Sequence, residues 1–195
     1  MKEKMRERVV DYAHRMNVLV ENGTAKRGQT SEYLLGGEAM NLTEGSTYPY
    51  RADISAMFGG DVNKGIAKPA VREDVILLFA NEDEVYLDYF YPKKTHDFCL
   101  FTGIGRRGNQ DSPEDNKDCY SLNIAVLDHQ RTKRSLLLFE KASGQYVFRG
   151  EYALTGTSQN IQPDENDELR RVFLFHLKRI RKDIEILTNS ELANL

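Results

Sequence analysis

The spacing of apolar positions changes along the chain, and each change marks an element. Met5, Val9, Tyr12, Met16 and Leu19 recur at intervals of three and four, with Arg6, Arg8, Asp11 and Arg15 on the other face. This is the stripe of an amphipathic helix, and Asn22-Gly23 supplies its stop. Residues 24–47 carry Gly28, Gly36-Gly37 and Gly45 and read as a connector with one short helix near residues 31–35. Asp53-Ile54-Ser55-Ala56-Met57-Phe58 predicts one or two helical turns, with Asp53 as N-cap and Gly59-Gly60 as stop.

Strand signals follow. Residues 75–79 form a continuous apolar run, as expected of a buried strand. Residues 85–91 alternate, with Val85, Leu87, Tyr89 and Tyr91 on one side and Tyr86, Asp88 and Phe90 on the other. Asn81-Glu82-Asp83 predicts a hairpin turn between these two runs, and residues 98–102 predict a further strand. Residues 116–129 suit a helix, with Leu122, Ala125, Val126 and His129 on one face. Residues 135–140 and 145–154 read as strands joined through Ala142-Ser143-Gly144. An acidic loop at 164–168 precedes the apolar stretch 169–180, and a last helical turn is expected at 184–187. Short strands joined by short turns, with one inserted helix, place the chain in the α+β class: a curved antiparallel β-barrel with flanking helices. A parallel βαβ arrangement is disfavoured, because only one inter-strand segment has helical length. The expected organisation is an N-terminal helical segment at 1–44, the barrel domain at 45–182 and a short C-terminal tail at 183–195.

Composition narrows the function classes. The 195 residues are 40% hydrophobic, enough for one real core, and 29% charged. No apolar run reaches the ~18 residues of a membrane span. The charged start, Met1-Lys2-Glu3-Lys4, does not read as an export signal, so a cytoplasmic protein is expected. Two cysteines, Cys99 and Cys119, are too few for a disulfide scaffold or a four-sulfur zinc site. His14, His96, His129 and His176 do not combine with them in ligand spacing, so neither a metal nor another cofactor is expected. Cys99, within an apolar strand, reads as a small core residue. A net charge of −3 does not announce nucleic-acid binding, but the basic residues are segregated: Arg106-Arg107, Arg131, Lys133 and Arg134 in the middle, Arg170-Arg171 and residues 178–182 near the end.

Three segments can carry chemistry. Phe101-Thr102-Gly103-Ile104-Gly105-Arg106-Arg107-Gly108-Asn109-Gln110 places three glycines within six residues beside two arginines. Such a loop either brings backbone N–H groups and guanidinium donors close to a phosphate-bearing partner or is a flexible connection with solvated arginines. Tyr86-x-Asp88-x-Phe90 shares one strand face. The face either encloses a base with rings and one carboxylate or packs as core with Asp88 paired to a cation. Tyr48-Pro49-Tyr50-Arg51-Ala52-Asp53 gathers rings and a cation at a helix start.

The order of motifs resembles a known family. It runs Arg51-x-Asp53-Ile54-x-x-x-Phe58-Gly59-Gly60, Gly65-Ile66, Ile76-Leu77-Leu78-Phe79 and Tyr86-x-Asp88. It continues through Phe101-Thr102-Gly103-x-Gly105-x-x-Gly108-Asn109, Asn116-Lys117, Leu138-Phe139-Glu140 and Tyr146-x-x-x-Gly150-Glu151. Over residues 48–160 this is similar to the SRA-like, YDG-type domains that precede HNH nuclease modules in bacterial modification-dependent restriction enzymes of the McrA type. The resemblance implies a PUA-like barrel that binds double-stranded DNA and holds a flipped, modified base. By position, Phe101 would stack on the base, Thr102 and Gly103 would offer backbone groups to its edge, and Tyr86 and Asp88 would complete the pocket, Asp88 accepting from the amine. Arg51, Arg106, Arg107 and Asn109 would face the DNA backbone, with Tyr48 and Tyr50 at the pocket rim. Phe101 replaces a Tyr of the relatives, and Asn109 stands where they often carry Asp. No HNH motif appears, so cutting is not implied. The expected role is that of a non-catalytic reader in a defence or restriction system, with a separate nuclease as effector and the N-terminal stripe as docking or homodimer surface. Two other readings stay open: a metal-dependent nuclease or base-processing enzyme, and a sensor of a free modified nucleotide.

Overall fold

The computed structural model describes residues 40–70, 72–81, 86 and 88–186. The N-terminal helix and the helix near residue 31 fall outside the described residues, as do Val85, Leu87 and most of the turn expected at 81–83. The described chain runs β1 (Met40–Leu42), β2 (Thr47–Tyr48), α1 (Arg51–Phe58), β3 (Ile66–Ala67), β4 (Val75–Ala80) and β5 (Tyr89–Tyr91). It continues through β6 (Phe98–Thr102), α2 (Tyr120–Leu127), β7 (Ser135–Ala142), β8 (Gln145–Pro163), β9 (Leu169–Arg181) and β10 (Ile184–Ile186). No helix among the described residues is long and apolar enough to cross a membrane.

One hydrogen-bonded path orders the strands β3-β4-β7-β8-β9-β6-β5, with β2 alongside β8, while β1 pairs with β10. No ladder joins the two ends of this path among the described residues, so the sheet is open in its hydrogen bonding. The continuous apolar run expected to be a buried strand is β4, buried at every position. Its alternate residues feed two cores. Ile76, Leu78 and Ala80 join Leu136, Leu138, Cys99, Phe101, Phe175 and Val126 of α2 on one side. Val75, Leu77 and Phe79 join Leu137, Phe139 and Phe148 with Ile54 and Phe58 of α1 on the other. Each fully buried Leu, Ile or Phe contributes about 1.5–3 kcal/mol over an exposed one. Residues of β4 and β6 share the first core although three strands separate them on the path.

A strand apolar on both faces belongs in the middle of a sheet, and this overturns two expectations. The 81–83 segment does not close a hairpin from β4 to β5: β4 pairs with β3 and β7, and β5 pairs with β6. The ladder between β4 and β7 is parallel, Val75 opposite Ser135 through Ala80 opposite Glu140. A parallel neighbour requires a long crossover, and the chain from β5 to α2 provides it. The helix at residue 53 also begins earlier than expected. Tyr50 is the N-cap and Asp53 the third helical residue, its carboxylate accepting the Tyr50 N–H at 2.9 Å. Gly59 ends the helix with φ 78, as the sequence implied.

Hairpin β7–β8 turns at residues 143–144, where Ser143 and Gly144 both have positive φ. β8 runs on to Pro163, well past the expected end at residue 154, and pairs with β9 from Glu151 to Pro163 apart from a bulge at residue 155. Register shifts at Leu138/Phe139, Glu151/Tyr152 and Leu154/Gly156 mark bulges, which bend so long a strand. Residues 184–186 are not helical: β10 buries Ile184 and Ile186 and exposes Glu185, a strand alternation too short to recognise without its partner β1. Arg179, its side chain 3% exposed, binds Glu44 and the backbone oxygen of Thr95, and reaches Asp97 at 2.9 Å. It ties the start of the described chain to β9.

Candidate functional site

A cavity of about 120 Å³ opens where β4 and β6 end. Phe79, Tyr86, Phe101 and Tyr146 contribute rings; Asp88, Thr102, Asn63, Asn81, Arg51, Arg106 and Lys141 contribute polar groups; Gly65 and Ile104 complete the wall. Thus Tyr86, Asp88, Phe101 and Thr102, singled out from sequence, meet at one place, and Arg51 and Arg106 join them.

Asp88 is 5% exposed. Its Oδ1 accepts the Thr102 N–H at 2.7 Å and its Oδ2 the Asn81 N–H at 2.9 Å. These two bonds link the ends of β6 and β4, which no ladder joins. A carboxylate has about four acceptor positions, and two backbone groups are among the partners of this one. The Thr102 hydroxyl is buried at the same wall with no hydrogen-bond partner. Phe101 is 1% exposed and belongs to the first core, so it forms the floor of the cavity. Tyr86 is half-buried. Burial raises its phenol pKa, opposed by a hydrogen bond with the Gly105 backbone and by the charges of Arg106 and Arg170.

Arg51 sits over the cavity's aromatic wall. Its guanidinium carbon sits 3.8 Å from the centre of the Phe79 ring and 6.0 Å from that of Tyr146, and Nη2 donates to the Lys64 carbonyl. Nε is buried without a partner, and desolvation lowers the guanidinium pKa. Stacking on a ring offsets part of that cost.

The glycine-rich loop is held rigidly, from inside, by three buried amides. Asn123 accepts the Ile104 N–H and donates to the Ile104 carbonyl, both at 2.9 Å. Asn116 donates to the same carbonyl at 3.1 Å. Gln110 donates to the Gly103 carbonyl at 2.6 Å and accepts the Phe173 N–H at 2.9 Å. Gly103 gives its own N–H to Phe173, so it contributes to the clamp and does not line the cavity. A Cβ on Gly105 would lie 2.4 Å from the Asn116 Oδ1, and its φ of 128 suits only glycine. Asn123→Ala is expected to strand a buried N–H and weaken folding by about 2 kcal/mol, readable by urea denaturation.

The remaining sequence-predicted residues lie farther out. Arg106 and Arg107 share Glu165, at 3.7 and 2.5 Å, with side chains 60% and 70% exposed. The acidic loop therefore packs on the arginine loop: Glu165 also donates its N–H to the Arg106 carbonyl at 3.2 Å. Asn109 braces the loop, donating to Asp115 and accepting the Arg171 N–H, each at 3.0 Å. Tyr48 packs edge-on to Phe139 at 5.8 Å in the second core, where burial raises its pKa to about 12. Tyr50 is half exposed at the α1 N-cap. Neither tyrosine lines the cavity.

Sequence reasoning missed several contributors. In sequence Phe79 is only the end of an apolar run, and Tyr146 only part of a motif. Arg170, noted in sequence only as part of a basic run, is 2% exposed and donates to the Gly105 carbonyl. The strand alternation of residues 170 and 172 carries that signal. Arg171, its neighbour, is exposed and paired with Asp111 at 2.9 Å. Among the described residues no three His, Cys, Asp or Glu side chains gather as metal ligands.

Residues 44–191 match the family described as the SRA domain, ScoMcrA-like. The fold is similar to that of the type IV phosphorothioation-dependent restriction endonuclease ScoMcrA, with a TM-score of 0.56 and 24% identity over 72% of this chain. The sulfur-binding and SRA domains of ScoMcrA complexed with phosphorothioated DNA give 0.55, at 24% identity over 72% of this chain. This chain spans 28% of the first of those structures and 40% of the second. The SRA domain of SUVH5 in complex with hemi-methylated CG DNA gives 0.54, at 18% identity, covering 78% of this chain and 98% of that one. No curated protein matches the sequence.

Proposed function

Because the chain belongs to the ScoMcrA-like SRA domain family, we propose that it reads modified double-stranded DNA by taking one flipped, modified base into the cavity between β4 and β6. The observation that carries this reading is the cavity itself: four rings and a buried carboxylate gathered in one hollow at the strand ends. The curled sheet acts as the barrel that frames it. Extruding a base costs a few kcal/mol of lost stacking and pairing. Tyr86 and Tyr146 return part of that by stacking against the base, over a floor made by Phe101. Asp88 accepts from an exocyclic amine, the donor that cytosine and adenine present, and the Thr102 hydroxyl meets a further polar atom of the base. Arg106 and Arg107 exchange Glu165 for flanking phosphates, and Arg51 leaves or lines the aromatic wall as the base enters. The chain then serves as the specificity part of a cytoplasmic restriction or defence system, with cleavage supplied by a nuclease effector.

Binding of one duplex sequence in methylated, hydroxymethylated and plain forms tests this directly. At least one modified form is expected to bind tenfold or more tightly than the plain duplex. Equal, purely salt-dependent affinity for all three rejects the reading. The joint variant Arg106→Gln/Arg107→Gln is expected to weaken every duplex alike. Its log–log salt slope should fall by about 0.9 for each phosphate that is no longer neutralised, with the preference for the modified form retained.

A further inference from the structure

The outer face of β5, β6 and β9 carries an aromatic surface that the cavity does not use. Tyr89, Tyr91 and Phe98 are 47%, 62% and 44% exposed, and with Leu100 and His176 they border a groove of about 210 Å³. In register, Tyr89 stands beside Leu100 and Leu100 beside His176; Tyr91 stands beside Phe98 and Phe98 beside Lys178. Two rows of side chains therefore cross three strands on one face. Rings on adjacent strands normally cover one another. These three make no ring–ring pair among the described residues. Large apolar side chains grouped in one patch and left in water mark an interaction surface.

The charges around the patch select the partner. Lys93 Nζ lies 6.0 Å from the centre of the Tyr89 ring. Lys94 is exposed in the same turn, and Lys178 is exposed beside Phe98. Asp97, next to Phe98 in sequence, is already held by Arg179 at 2.9 Å. A second copy of the chain seated symmetrically on this face would set lysines against lysines. Exposed rings among cations suit a strand of bases and phosphates. Tyr89 and Tyr91 are two residues apart on one strand, about 7 Å, which gives each ring room for its own base.

We propose that this face is a second nucleic-acid surface, separate from the cavity, which holds single-stranded DNA by stacking bases on Tyr89, Tyr91 and Phe98. The test is fluorescence anisotropy of a labelled, unmodified oligothymidylate with the full chain at several salt concentrations. Wild type is expected to bind with affinity that falls as salt rises. The double variant Tyr89→Ser/Tyr91→Ser is expected to bind at least tenfold more weakly, with its thermal melt and its affinity for modified duplex unchanged within twofold. Lys93→Ser/Lys178→Ser is expected to flatten the salt dependence. The proposal is overturned by an oligothymidylate that fails to bind wild type, or that binds the tyrosine variant equally well. It is also overturned if polyglutamate displaces the oligonucleotide at equal charge concentration, or if sedimentation shows a dimer that the tyrosine variant abolishes. Modified-duplex binding is read in the same samples, so failure of the cavity reading appears separately.

Discussion

Asp88→Ala is expected to lose both the preference for modified DNA and much of the folding stability. The carboxylate receives two backbone N–H groups, from Thr102 at 2.7 Å and Asn81 at 2.9 Å. Truncation leaves both without this acceptor, the first of them buried. Each stranded buried donor costs about 1–3 kcal/mol, so about 2–5 kcal/mol is expected in all, or roughly 5–15 °C in melting temperature for a chain of this size. On the proposed reading, the binding loss follows from removing the acceptor for the base amine, and it is measured well below the melting temperature of the variant. Asp88→Asn separates the two roles. Its amide oxygen retains one backbone bond, so the fold suffers less, whereas its NH₂ meets the amine of the base donor to donor. A stable Asp88→Asn protein that still prefers modified duplex as strongly as wild type would remove Asp88 from base recognition.

Gly150→Ala is the second substitution with a large expected effect. Gly150 sits at the register shift between β7 and β8 with φ 121. A Cβ there would lie 2.4 Å from the Arg181 carbonyl oxygen, which belongs to backbone and cannot swing aside. A non-glycine residue in such a conformation costs roughly 1–2 kcal/mol before any clash. With the clash the total is expected near 3 kcal/mol or above. Denaturant titration should show a lower midpoint with an unchanged slope. Loss of the bulge would also shift Arg149, whose Nη2 lies 2.5 Å from Glu140. A variant as stable as wild type would mean that the β7–β8 bulge relaxes freely.

What pattern alone revealed was the buried strand, whereas the aromatic set was legible only through the family resemblance. The apolar run 75–79 suited a buried strand and is one, and Tyr86, Asp88, Phe101 and Thr102, which the resemblance placed together, do line one cavity. The far half of β8 was not legible because residues 155–161 are almost wholly exposed, so no apolar alternation marks them. Their strand character comes from pairing with β9, a partner that local pattern does not contain. The amide clamp was hidden for a different reason. No local pattern marks Gln110, Asn116 and Asn123 as buried, yet they are 0%, 5% and 0% exposed, because the loop's carbonyls and N–H groups needed internal partners. Nor does the segregation of charge along the chain reveal its pairing: the acidic loop and the arginine loop meet where Glu165 binds Arg106 and Arg107.

Met40 and Ile186 are direct partners in the β1–β10 ladder, so their Cα atoms lie about 5 Å apart. Polypeptide entering at one and departing from the other therefore passes through a single gateway. Flanking sequence on either side can therefore be joined to the unit at one place without threading the sheet.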